Sequence, residues 1–233
     1  MDYVYICKDG DNEELRYSIR SVLKNAPEGN VWVVGGKPEW YSGNYVAVDQ
    51  TKKKIDNARA NLAAIITTRE ISNEFVLMND DFFIVNPISE IKIFNGGSLL
   101  QKIYEYYDLV PRSSYLQKLS ETHTELKMLG IRNPLDFELH VPMVMQKDNL
   151  KRTLRNKIAL WRSYYGNLYS ELGTEMSDVK VYKDGSLVSR SFDYKNIASD
   201  YISTDDDAFE KVLEDILLNM FPEPSPYELD YRQ

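Results

Sequence analysis

Apolar residues along the chain come as short continuous runs alternating with helically spaced sets. Tyr3-Val4-Tyr5-Ile6 is a continuous run that predicts a buried strand, and Lys8-Asp9-Gly10-Asp11 is the turn after it, because Asp and Gly relieve the backbone where a strand stops. Over residues 13–24 Leu15, Ile19, Val22 and Leu23 recur at helical spacing. Acidic residues fill the first turn, where the helix dipole favours them, and Pro27 and Gly29 end the segment. Val31-Trp32-Val33-Val34, closed by Gly35-Gly36, is a second strand, so the chain opens as a strand-helix-strand unit of a parallel sheet.

The same alternation continues. A third strand is predicted at Tyr45-Val46-Ala47-Val48, and an alanine-rich helix over 55–70 carries Ile55, Leu62, Ile65 and Ile66. Glu74-Phe75-Val76-Leu77-Met78 is a buried strand running into Asn79-Asp80-Asp81, with Phe82-Phe83-Ile84-Val85 apolar on the far side. Residues 98–129 read as helical with breaks at Pro111 and around Ser120. Residues 136–143 read as extended, because Pro142 biases the residue before it, and a helix follows over 148–160. A hairpin is predicted from a strand at 179–182, a turn at Lys183-Asp184-Gly185 and Leu187-Val188. A helix over 208–219 follows Asp205-Asp206-Asp207, which serve as cap and dipole partners. The proline-rich stretch 221–233 is expected to pack as an extended surface arm. The whole implies a single α/β domain over 1–233.

Composition narrows the function classes. A formal charge of −8 argues against general affinity for phosphate backbones, which rests on clustered Lys and Arg. Local basic groups at Lys52-Lys53-Lys54 and across 147–162 could still serve one anionic ligand or form solvated faces. No apolar run is long enough to span a bilayer and no secretory signal opens the chain, so a cytoplasmic protein is expected. The single cysteine, Cys7, reads as a small buried hydrophobe.

Chemistry is concentrated at few positions. Adjacent carboxylates between apolar strands, as at Asp80 and Asp81, are expensive to desolvate unless paired, and no basic residue lies nearby in sequence. A divalent cation, manganese or magnesium, is one resolution and a turn or cap the other, since such sites commonly use one or two carboxylates plus substrate phosphates. His140 shares a face of its extended segment with Glu138, the geometry by which a carboxylate orients an imidazole base. A buried, hydrogen-bonded histidine is the alternative. Arg16 and Arg20, one helical turn apart, and Arg162 are candidate diphosphate partners or surface ion pairs. With Asp9, Asn79 and Asp80 they complete the candidate donor-binding set, while His123 reads as a surface residue.

Several motifs together resemble a known family. Glu13-Glu14-Leu15-Arg16-Tyr17-Ser18-Ile19-Arg20-Ser21, then Asn25-Ala26-Pro27, Pro38-Glu39-Trp40 and the segment around Asn79-Asp80-Asp81, resemble the Stealth sugar-phosphate transferases. His140-Val141-Pro142-Met143, Arg162 with Tyr165-Gly166-Asn167, and 221–227 resemble the short bacteriophage glycosyltransferases. The resemblance implies a GT-A-like fold, a nucleotide-diphosphate-sugar donor and a phage-encoded protein in the host cytoplasm. It also implies metal ligation by Asp80 and Asp81, and it places His140 and Arg162 where the Stealth enzymes have an active-site histidine and a downstream arginine. Asp81 and His140, with Glu138 orienting the imidazole, are the expected catalytic residues. The first strand ends Cys7-Lys8-Asp9-Gly10 where Stealth proteins read Trp-Val-Asp-Gly. Glycosyl transfer, Stealth-like sugar-phosphate transfer with release of a nucleoside monophosphate, and a non-catalytic glycan-binding or virion-associated protein are the three readings. The acceptor is a virion protein, a glycan or, on grounds of charge least favoured, modified DNA.

Overall fold

The continuous apolar runs become strands and the periodic sets become helices. The computed structural model describes residues 1–182, 186–187, 190–191 and 199–229. It opens with β1 (Asp2–Cys7), α1 (Glu13–Asn25), β2 (Asn30–Gly35), β3 (Asn44–Ala47), α2 (Lys54–Thr67), β4 (Glu74–Asn79) and β5 (Phe82–Ile84). The middle holds β6 (Phe94–Asn95), α3 (Leu99–Leu109), α4 (Ser114–Met128), β7 (Met143–Gln146), α5 (Lys147–Leu154), α6 (Trp161–Tyr169) and β8 (Thr174–Glu175). The remainder is β9 (Lys180–Val181), β10 (Ser186–Leu187), β11 (Arg190–Ser191), β12 (Tyr201–Thr204), α7 (Asp206–Ala208), a π-helical turn (Phe209–Leu213) and α8 (Glu214–Met220). Among the described residues no helix is long and apolar enough to cross a membrane.

The chain divides into two compact units. The first comprises Met1–Ile91, His140–Gln146 and Val179–Gln233. Its main sheet has the order β3-β2-β1-β4-β7, parallel except for β7, which runs antiparallel to β4. Helix α2 covers β1 and β2, and α1 lies against β5, so this is the expected α/β architecture of a mostly parallel sheet flanked by helices. Val4, Val33, Phe75, Leu77, Leu15 and Ile65 are fully buried, each such side chain contributing about 1.5–3 kcal/mol of transfer free energy. A second sheet, β11-β10-β9-β12-β5, uses the apolar run after Asp81 as its edge. The second unit, Lys92–Leu139 with Lys147–Asp178, is mainly helical around Leu99, Leu119, Leu126, Leu160 and Tyr164. Its Asp136 is fully buried and ion-paired with Lys102.

Two expectations need revision. No break occurs at Ser120: its hydroxyl donates to the Leu116 carbonyl at 3.0 Å, so α4 passes through it. Pro111 does end α3, with Val110 at φ −143°. Of the segment read as extended over 136–143, only Met143 enters a strand, β7, because Pro142 has no N–H for a ladder; it pairs with Leu77. The helix expected over 148–160 stops at Leu154, where the polar Arg155-Asn156-Lys157 offers nothing to bury, and a second helix, α6, follows. In the predicted hairpin Leu187 pairs antiparallel with Val181; its turn at 183–185 and Val188 lie outside the described residues, as do 230–233.

The C-terminal arm is tied down more firmly than a surface segment. Ser42 N donates to the Tyr227 carbonyl at 2.8 Å, Leu229 N to that of Trp40 at 2.7 Å, and the Tyr41 and Tyr227 rings stack at 6.0 Å. Phe221 and Ser225 are buried.

Candidate functional site

In the order β3-β2-β1-β4 the chain switches direction at β1 and β4, and ligands of open α/β sheets bind outside the carboxyl ends of strands at such a point. The β1–β4 ladder ends with Ile6 opposite Asn79, so Cys7-Lys8 and Asn79-Asp80-Asp81 emerge side by side. Asp80 and Asp81 form the turn by which β4 of one sheet passes to β5 of the other. A cleft of about 560 Å³ opens there. Its acidic residues are Glu14, Asp80, Asp81 and Asp205-Asp206-Asp207; its amides are Gln50, Asn57, Asn61 and Asn79; Lys8, Lys54 and Lys180 supply cations.

The local geometry follows from strand ends and caps. Asn12 caps α1 by accepting from Leu15 N at 3.0 Å, and its Nδ2 donates to Asp80 Oδ2 at 2.6 Å. Asp81 Oδ2 accepts from Ser203 Oγ at 3.0 Å and faces Lys180 Nζ at 3.5 Å. Asp205 is the cap of α7, accepting from Ala208 N at 2.8 Å, as its sequence predicts. Asn61 Nδ2 donates to the Cys7 carbonyl at 3.3 Å. Gly35, at φ +115°, is required beside it, since a Cβ there would lie 2.3 Å from that same carbonyl. Cys7 itself is 1% exposed, and burial first, then the Asp80 charge, pushes its thiol up. It is the inert buried thiol expected.

Electrostatically the carboxylates crowd one another. Burial and then the neighbouring Asp81 charge raise Asp80 to about 6, against the Asn12 hydrogen bond that lowers it. Glu14 is 8% exposed and is raised to about 8 by burial, then by Asp80, Asp81 and Asp206. Its Oε1 is buried with no hydrogen-bond partner. Crowded hard oxygen donors of this kind, one unsatisfied, fit a divalent cation. Among the described residues no three His, Cys, Asp or Glu side chains are arranged to hold a metal unaided, so Asp80 and Asp81 would share it with substrate oxygens and water.

The other sequence candidates are distributed elsewhere. Arg16 and Arg20 do not line the cleft. Arg16 donates to Glu13 and Glu228, at 2.7 and 2.8 Å, and stacks 4.4 Å from the Trp40 ring centroid. Arg20 grips Glu228 at 2.6–2.8 Å and the Phe221 carbonyl at 3.0 Å. Asp9 is exposed in the turn after β1 and is not among the lining residues. His140, in the first unit, stands edge-on to Phe82, the residue after Asp81, with ring centroids 6.3 Å apart. Glu138 and Arg162 belong to the second unit. There Glu138 Oε1 accepts from Ser163 N at 2.8 Å, Arg162 Nε donates to the Phe137 carbonyl at 3.3 Å, and burial raises Glu138 against the opposing Arg162 charge.

Sequence reasoning missed Asn12, Glu14, Lys180 and Ser203. Lys180 and Ser203 lie 99 and 122 residues from Asp81, beyond any local signal. Glu14 was legible in principle, as a carboxylate on the buried stripe it shares with Ser18 and Ser21.

No protein-family model matches the chain, and no curated protein sequence matches it. Among solved structures it is similar to the galactosyltransferase LgtC in complex with donor and acceptor sugar analogs, at 10% identity over 97% of this chain and 96% of that one, TM-score 0.48. It is also similar to the WbbM bifunctional glycosyltransferase, at 10% identity over all of this chain and 46% of that one, TM-score 0.43. An active-site mutant of LgtC aligns at 11% identity over 98% and 85% of the two chains, TM-score 0.39. These scores and identities are too low to carry function from those enzymes to this chain.

Proposed function

We propose that this cleft binds a nucleotide-diphosphate sugar through manganese or magnesium held by Asp80 and Asp81, and that the chain is a single GT-A-like glycosyltransferase, phage-encoded and acting in the host cytoplasm. The observation that carries the reading is the partnerless, buried Glu14 Oε1 beside two adjacent carboxylates at a sheet switch point. A divalent cation would relieve the mutual repulsion of these carboxylates and give Glu14 Oε1 the partner it lacks. When bound, the metal offsets the charge developing on the leaving nucleotide. Lys8, Lys54 and Lys180 line the same cleft and serve as point charges for phosphate oxygens, the role first read for the arginines. Arg16 and Arg20 we assign to holding the arm. His140 is the base for an acceptor hydroxyl if the transfer inverts; Glu138 and Arg162 support the second unit's own packing.

A Stealth-like sugar-phosphate transfer is the second reading, favoured by the placement of the Stealth-resembling segment 13–21: its Glu14 lines the cleft. The released nucleotide separates the two, diphosphate for glycosyl transfer and monophosphate for sugar-phosphate transfer.

Titration calorimetry of nucleoside diphosphates and their sugars tests the donor site. Manganese-dependent binding is expected for the wild type, weakened at least about tenfold, or about 1.4 kcal/mol, in Asp81→Ala. Equal affinity in the two proteins, or no binding with or without metal, would overturn the proposal.

A further inference from the structure

Asn12 does two things with one amide: Oδ1 accepts from Leu15 N at 3.0 Å, and Nδ2 donates to Asp80 Oδ2 at 2.6 Å. The side chain is almost fully buried, at 4% exposure. Capping alone does not require this residue, since Ser, Thr and Asp cap helices about as well by offering the same acceptor. Asparagine is the one good cap that also carries N–H donors, and aspartate here would place a further carboxylate against Asp80. The choice of asparagine is therefore explained by Asp80 and left unexplained by the helix.

We infer that Asn12 is a positioning residue for the cation site, locking the Asp80 carboxylate against the N-terminus of α1. This rests on the proposed function above. An ionised carboxylate has about four lone-pair sites, of which Asn12 occupies one on Oδ2, fixing the side-chain rotamer while leaving acceptor capacity for a cation. Outer partners of metal ligands act in this way, and their loss typically lowers metal affinity about 10–100-fold. Because Asn12 caps α1, the helix that also presents Glu14, it links Asp80 to the element that carries Glu14.

The test compares Asn12→Ser with the wild type in the full chain. Serine keeps the cap and is too short to reach Asp80, and Asn12→Gly, which also caps, is the second variant should serine fold poorly. Manganese affinity is measured calorimetrically with a nucleoside diphosphate present, and thermal midpoint is measured without metal. The inference expects a loss of manganese affinity of about 10–100-fold with the midpoint little changed. Wild-type affinity in both Asn12 variants, alongside loss in Asp80→Ala, would overturn the positioning role and leave the metal reading standing. A fall in midpoint that accounts for the affinity loss would reduce Asn12 to a cap. Unchanged affinity in Asp80→Ala would remove the metal reading itself, and this inference with it.

Discussion

Glu228→Ala is expected to lower the free energy of unfolding by about 3–5 kcal/mol, the scale for removing one partner of a buried ion pair. Glu228 is 4% exposed at its side chain. It accepts from Arg20 at 2.6 and 2.8 Å, from Arg16 at 2.8 Å and from Ser225 N at 2.8 Å. Arg20 is itself 9% exposed, so the substitution leaves a buried guanidinium without its counter-charge. Glu228→Gln keeps the volume and part of the hydrogen bonding and should fall between. Burial raises this carboxyl, but hydrogen bonds from Arg20, Ser225 and Arg16 bring it from 4.5 down to about 2. With a depressed folded value, its contribution is fully present above about pH 4.5 and is lost as pH falls through about 2. Urea unfolding at about pH 7 and about pH 3 measures both effects. A loss below about 1 kcal/mol at neutral pH would place the cluster in the class of screened surface pairs.

Glu14→Gln should act in the opposite direction and at the opposite end of the pH scale. Burial, then the charges of Asp80, Asp81 and Asp206, raise Glu14 from 4.5 to about 8. A raised folded value means that its stabilising contribution is complete below about pH 4.5 and disappears as pH rises through about 8. Glutamine removes the ionisation, so the variant should match the wild type near about pH 4 and exceed it at about pH 9 by roughly 2–4 kcal/mol, taking about 1.4 kcal/mol per unit and allowing for solvent access. Manganese should shrink that advantage by stabilising the wild-type carboxylates. The same gain at both pH values would mean that packing, and not charge, governs the position.

The opening strand-helix-strand unit was legible because each element carries its own pattern: contiguous apolar residues for β1 and β2, helical spacing for α1. Asp80 and Asp81 were legible for the same reason, as two charges interrupting an apolar run. What escaped was long-range pairing. The short β12 forms because β5 and β9 supply its partners. The ion pairing of Asp81 with Lys180, and of both helical arginines with Glu228, joins segments whose separation in sequence carries no information about their meeting. The arginines illustrate the limit well. Their residue type suits phosphate, but in the fold Glu13 and Glu228 already occupy the donor fork of Arg16, and Glu228 that of Arg20.

Cys7 gives the molecule a built-in clock. It is the chain's one cysteine, placed at the end of the central strand with Gly35 opposite on β2, and at 1% exposure its sulfur meets a reagent only when this end of the strand opens. Modification by a thiol reagent therefore counts openings at this strand end in the unaltered protein, with no label engineered and no second thiol to confuse the signal. A cation that binds the closed cleft must slow that clock by mass action. Occupancy of the proposed cation site can thus be followed at the Cys7 sulfur, in a mass spectrometer, before any substrate is known.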